Sequence, residues 1–236
     1  MSDLQLTRPA TLSTERWARF ESDAVVLAAA ADAACRRPGH SERVARLAMN
    51  LAAALGVRGG ALRRLRLAGL LHDVGKLELP PHVALTAEPD DAGDRALLRR
   101  HPVDGHETAK ALGLPDEAGW ILHQRERLDG SGHPAGLEGM AIPLGARVLA
   151  VADAFDGLTR PRGGRRPLAP SAALEELRRQ RGAHFDPVVV DALEVVLDAS
   201  IALSDDIRDD ALADPRGRHD NDLVPIPEPL RGGPRP

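Results

Sequence analysis

The chain has 236 residues, 43% of them hydrophobic, with 31 basic and 35 acidic side chains and a net charge of −4. That is ample for a globular core, and it leaves no basic field for a nucleic-acid polymer or an anionic membrane. The apolar runs are broken by charge well short of the roughly 18 residues of a membrane span, and no basic-then-apolar leader is seen, so a cytoplasmic protein is expected. The lone cysteine, Cys35, excludes an intrachain disulfide and a thiolate-rich zinc site. A metal here would have to take histidines and carboxylates.

Helical periodicity runs through most of the chain, with few β-branched or aromatic stretches, and predicts an all-α fold. A first helix is expected over 13–35, stopped by Arg37-Pro38-Gly39, and a second from about 41 with Val44, Leu47, Leu51 and Leu55 on one face. A third, 60–74, delivers His72-Asp73 and is ended by Gly75. The stretch 80–91 reads as a loop, followed by one helix leading to His101-Pro102 and another reaching Leu112. Trp120-Ile121-Leu122 then enters a polar, glycine-rich segment, 124–139, long enough to be a functional loop. Residues 142–158 form an amphipathic helix carrying Asp153 and Asp156; a basic turn at 160–166 and helices at 171–179 and 187–197 follow. The expected division is an N-terminal extension (1–22), one helical domain (23–200) and a mostly disordered tail (201–236) rich in proline, glycine and charge.

Hard-donor chemistry singles out His40 at a helix start, His72-Asp73 at a helix end, His101 ahead of another helix, and Asp153 among Val148, Leu149, Val151, Ala152, Ala154 and Phe155. Neutral imidazoles with carboxylates suit Mn, Fe, Ni or Zn. A charge in company as apolar as that of Asp153 needs a partner or a metal. Taken singly, each residue has a plainer reading: a helix-end histidine is commonly a cap or surface group, and Asp153 is as ready to pair with an arginine as with a metal. Lys76, one of two lysines in the chain, follows the His-Asp pair by one turn.

The ordered runs His40-Ser41-Glu42-Arg43-Val44, Leu71-His72-Asp73-Val74-Gly75-Lys76, His101-Pro102-Val103-Asp104-Gly105, Asp129-Gly130-Ser131-Gly132-His133-Pro134, Ile142-Pro143-Leu144 and Val151-Ala152-Asp153-Ala154-Phe155-Asp156 resemble the HD superfamily of metal-dependent phosphohydrolases, and more closely its HD-GYP branch, over about residues 36–197. The resemblance implies an HD-type helical bundle with a long loop between the fifth or sixth helix and the Asp153 helix. It also implies phosphodiester hydrolysis, with cyclic di-GMP the leading substrate. Carried over residue by residue, it makes His40, His72, Asp73 and Asp153 ligands of one metal, Asp73 a bridge toward a second and His101 a ligand of that second. Asp73 and Lys76 become catalytic groups, and Lys76, Arg162, Arg165 and Asp129 substrate contacts.

The match breaks where the branch has His-His-Glu, here Gln124-Arg125-Glu126: the first is a poor ligand and the second a permanent cation. Arg36 stands where a third metal would need a glutamate, and His133 replaces the motif's tyrosine. One metal site is therefore expected, with the second doubtful. The expected partner is a nucleotide or phosphoester substrate, and a signalling protein is a further candidate; the oligomeric state is not specified. The alternative reading is a catalytically impaired domain in which Arg125 neutralises Asp73, serving as a nucleotide receptor or protein-interaction module.

Overall fold

Residues 13–86, 89–161 and 165–211 are described by a computed structural model, with side chains described to residue 200. The helices are α1 (Thr14–Ala34), α2 (His40–Ala54), α3 (Gly60–Leu71), the single turn α4 (Pro81–Ala84), α5 (Ala92–Ala111), α6 (Pro115–His123), α7 (Leu144–Thr159), α8 (Pro170–Arg179) and α9 (Pro187–Ala211). Two 3-10 segments, Val74–Glu78 and Gly139–Ala141, connect them, and no strand occurs among the described residues, so the all-α expectation holds. The long loop lies between α6 and α7. Helix α1 begins inside the expected extension and buries Phe20 in the main core, and α9 reaches Ala211 within the expected tail; residues 212–236 lie outside the described ones. Among the described residues no helix is long and apolar enough to cross a membrane.

Helix starts follow their capping chemistry. Ser13 accepts from Arg16 N, Asp91 accepts from Gly93 N and Asp94 N, and prolines open α4, α6, α8 and α9, where a missing N–H costs nothing. The start of α2 has no cap of its own. Buried Asp32, on α1, supplies it by accepting from Ser41 N (3.2 Å) and Ser41 Oγ (2.7 Å), which fixes His40 at the helix mouth.

Helix α2 is central, packed against α3, α7 and α9, with Val44, Ala45, Ala48, Leu51 and Ala52 wholly buried. Small residues set the approach: a Cβ on Gly69 would lie 2.5 Å from Ala45 Cα, so only glycine lets α3 come this close to α2. That contact brings the end of α3 to the start of α2. Helix α7 buries Val148, Leu149, Val151 and Ala152 and carries Asp153 and Asp156 into the interior with them.

One prediction fails instructively. Helix α5 runs unbroken through Pro102, where the sequence predicted two helices. Proline cannot donate to the carbonyl four residues back; that carbonyl, Leu98 O, accepts instead from His101 Nδ1 at 2.6 Å. The proline thus frees a backbone acceptor that orients a candidate ligand.

Candidate metal centre

Adjacent residues on a helix diverge by about 100°, yet His72 and Asp73 share a site because the chain changes winding between them. His72 caps α3 and Asp73 opens the 3-10 segment. His40 arrives from the mouth of α2 and Asp153 from the middle of α7, and all are buried. His40 Nε2 lies 3.2 Å from both His72 Nε2 and Asp153 Oδ1, and 3.6 Å from Asp73 Oδ2. His72 Nε2 lies 3.5 Å from Asp73 Oδ2 and 3.8 Å from Asp153 Oδ1.

The orientation of each imidazole is fixed by its other nitrogen. His72 Nδ1 donates to Gly69 O (2.7 Å), a carbonyl near the end of α3, and His40 Nδ1 donates to Asp156 Oδ2 (2.6 Å). His101 Nδ1 donates to Leu98 O, which leaves its Nε2 facing Asp73 Oδ1 at 3.6 Å. Asp73 Oδ1, Asp153 Oδ1 and His101 Nε2 are buried without a hydrogen-bond partner.

Ligands about 2.1 Å from a transition metal stand about 3.0 Å apart at right angles and about 3.4 Å apart in a tetrahedron. The spacings of 3.2 to 3.8 Å among His40, His72, Asp73 and Asp153 match that range. His40, His72 and Asp73 alone already form a compact group able to hold a metal ion. Chemistry and geometry therefore both fit a divalent cation.

The electrostatics agree. Burial disfavours a charge on His40, but the carboxylates of Asp153, Asp156 and Asp73 overcome it and push its pKa up to about 10, so the cage attracts positive charge. Burial also opposes ionisation of Asp73 and Asp153. His72, Lys76 and His40 nevertheless hold Asp73 well below the usual carboxylate range, and Arg125 with both cage histidines does the same for Asp153. Burial, reinforced by Lys76 and Arg125, pushes His101 down to about 3, which keeps its Nε2 lone pair available at neutral pH.

Basic side chains surround the cage and its supporting Asp156. Lys76 Nζ is buried 2.6 Å from Asp73 Oδ2. Arg37, which the sequence reading did not single out, places Nη1 3.7 Å from Asp73 Oδ2 and 3.9 Å from Asp153 Oδ1, with that nitrogen otherwise unpaired. Arg43 Nε donates to Asp156 Oδ1 at 2.6 Å. Arg125, which only the alternative reading set against Asp73, pairs first with Asp153 Oδ2 at 2.7 Å and stands 4.0 Å from Asp73 Oδ1. Gln124 is turned to structure, its Nε2 donating to His72 O at 2.5 Å, and Glu126 accepts from Ala135 N and Leu137 N to hold the long loop.

The expected substrate contacts are less gathered. Arg165 donates to Gly157 O and lines, with Arg125, Asp153 and Phe185, a cavity of about 900 Å³. A neighbouring cavity of about 890 Å³ presents Arg95, Arg99, Arg125, Arg127 and His133. Arg162 lies outside the described residues. Asp129 is exposed and accepts from Ser131 N and Oγ, shaping the loop; none of its described contacts reaches the cage. The sequence reading missed two supports, Asp156 and Arg37. The first was signalled by a second aspartate one turn after Asp153 on an apolar helix; the second had only its position three residues before His40.

Fold and site together define a helical domain built around a cage of two histidines and two aspartates, backed by a buried lysine. A family model described as HD domain matches residues 25–189, and the chain belongs to that family. It is 39% identical over 155 residues to the cyclic di-GMP phosphodiesterase response regulator RpfG of Xanthomonas campestris, covering 64% of this chain and 41% of that protein. It is 34% identical over 142 residues to the 3'3'-cGAMP-specific phosphodiesterase 1 of Vibrio cholerae, covering 60% of this chain and 33% of that protein. The chain thus spans less than half the length of these curated relatives. A solved cyclic GMP-AMP phosphodiesterase from V. cholerae shares the fold, with a TM-score of 0.63 at 22% identity over 78% of this chain and 50% of that one.

Proposed function

We propose that this chain is a metal-dependent phosphohydrolase that cleaves a phosphodiester bond in a cyclic dinucleotide, cyclic di-GMP first among the candidates, and that residues 23–200 form its catalytic domain. The observation that carries the reading is the cage itself: side-chain donor atoms of His40, His72, Asp73 and Asp153 converge at 3.2 to 3.8 Å in a buried setting, with Asp73 Oδ1 and Asp153 Oδ1 left without a hydrogen-bond partner. The names of the relatives support the substrate class.

His40, His72, Asp73 and Asp153 would hold the cation, with Mn, Fe, Ni or Zn suited to this donor set. When bound, it supplies Lewis acidity toward a phosphoryl oxygen. Lys76 brings a buried ammonium to the same carboxylate and offsets negative charge developing on phosphorus-bound oxygens. Arg37 and Arg125 offer planar donors to a phosphate from two sides of the cage. Asp73 Oδ1 and His101 Nε2, unpaired and 3.6 Å apart, are acceptors that can orient an attacking water. A cytoplasmic setting belongs to the same reading.

The test is turnover of cyclic di-GMP, 3'3'-cGAMP and a generic aryl phosphodiester with added Mn or Fe. Cleavage of a cyclic dinucleotide that chelator abolishes supports the proposal. Tight metal with no turnover of any of the three contradicts it.

A further inference from the structure

Beside the four-donor cage lies a second, incomplete group. Asp73 Oδ1 and His101 Nε2 face each other at 3.6 Å, both buried and both without a hydrogen-bond partner. Two donors are too few to hold a transition metal firmly, since protein sites supply three or four. The neighbours that might add a third do not. Gln124 spends its amide on the His72 carbonyl, His123 stands 3.6 Å from Glu126, and the described contacts of neither include His101 or Asp73 side chains.

What the second group has instead is a guanidinium. Arg125 Nη2 bonds Asp153 Oδ2 at 2.7 Å and stands 4.0 Å from Asp73 Oδ1, so it touches both carboxylates of the cage from the side that His101 shares. Its Nε is buried and unpaired. Arginine stays charged at any working pH, and here the carboxylates of Asp153 and Asp73 raise its pKa further against the cost of burial. A dication placed between Asp73 Oδ1 and His101 Nε2, both buried, would sit within a few ångströms of this fixed positive charge, and solvent reaching the partly exposed Arg125 would screen the repulsion only in part.

We infer that Arg125 occupies the electrostatic place of a second metal, so that the centre binds one divalent cation per chain and the guanidinium acts as its permanent partner. The arginine also borders both cavities beside the cage, where a phosphate held by the metal would meet it. The pair Asp73 Oδ1 and His101 Nε2 then holds a water rather than a metal. This inference rests on the proposed metal-dependent reading but is read out separately, by counting metal rather than product.

The experiment is metal stoichiometry by elemental analysis, with electron paramagnetic resonance on Mn-loaded protein. The wild-type chain, loaded with excess Mn and desalted, is expected to retain one Mn per chain with an uncoupled signal. Arg125→His, which removes the fixed charge and adds a donor beside His101, is expected to retain two with an exchange-coupled signal. Two metals in the wild type would overturn the inference, and so would a folded Arg125→His variant that stays at one. Where histidine impairs folding, Arg125→Gln keeps a hydrogen-bonding head at Asp153 and is expected to take up a second Mn at a concentration at least about tenfold lower than wild type; an unchanged titration would count against the inference. Absence of turnover with one metal bound would instead count against the proposed activity and leave the stoichiometry intact.

Discussion

The two sides of Asp73 are built to different standards. Toward Oδ2 stand His40, His72 and Asp153, each at 3.2 to 3.8 Å from its neighbours, and each histidine is locked by a carbonyl or carboxylate on its far nitrogen. Toward Oδ1 stand His101 and Arg125, a single imidazole and a cation, with unpaired buried atoms left over. The first side is a complete cage whose outer partners hold it in shape. The second keeps one donor beside Asp73 and has a guanidinium next to it. Donor type alone does not make a metal site, and neither does the sign of the charge beside it, since Lys76 Nζ stands 2.6 Å from Asp73 Oδ2 on the complete side; the count of convergent donor atoms separates the two.

The largest effect is expected at His72. His72→Ala removes a cage donor at the junction of α3 and the 3-10 segment and is expected to lower both metal affinity and turnover by more than about 100-fold, beyond the range seen for outer partners; metal titration with parallel assays checks it. Asp156→Asn keeps an acceptor for His40 Nδ1 but removes the charge behind it, and the expected loss of metal affinity is about 10-fold to 100-fold. An affinity equal to wild type would show that His40 needs no such orientation.

The weaker side is probed by Gly75→Ala. A Cβ there would lie 2.1 Å from His101 O and 2.5 Å from Gly105 N, forcing the 3-10 segment away from α5. The expected cost is about 1–3 kcal/mol of stability, as for other overpacked contacts, read from denaturant midpoints, with displacement of His101 from Asp73 as its structural sign. The smallest effect is expected at Arg165. Its side chain is exposed and tied to a backbone carbonyl, so Arg165→Ala should raise KM by no more than about threefold and leave kcat unchanged, in keeping with the small worth of exposed charges.

Much of this was legible from the residues in order. His40, His72, Asp73 and Asp153 sit in short runs at helix ends or on an apolar face, where their polarity stands out against the local pattern, and the helices that carry them follow from a plain 3.6-residue period. The role of Pro102 was not legible. A proline in a helical stretch argues for a break, and only the folded α5 reveals that the freed Leu98 carbonyl is used by His101. Arg37 and Asp156 were visible in the sequence but had no assigned role for a related reason: their partners come from elements distant in sequence, and long-range packing leaves little local trace. The pairing of Arg125 with Asp153 ahead of Asp73 likewise joins the start of the long loop to α7, elements distant in sequence.

The most direct test of the account is a single titration: metal-stripped wild-type protein receives Mn in increments while cleavage of cyclic di-GMP is followed. The account predicts no cleavage without metal, a rise in proportion to added Mn, and a plateau at one equivalent per chain. Cleavage by the stripped protein, or none at any loading, would contradict it.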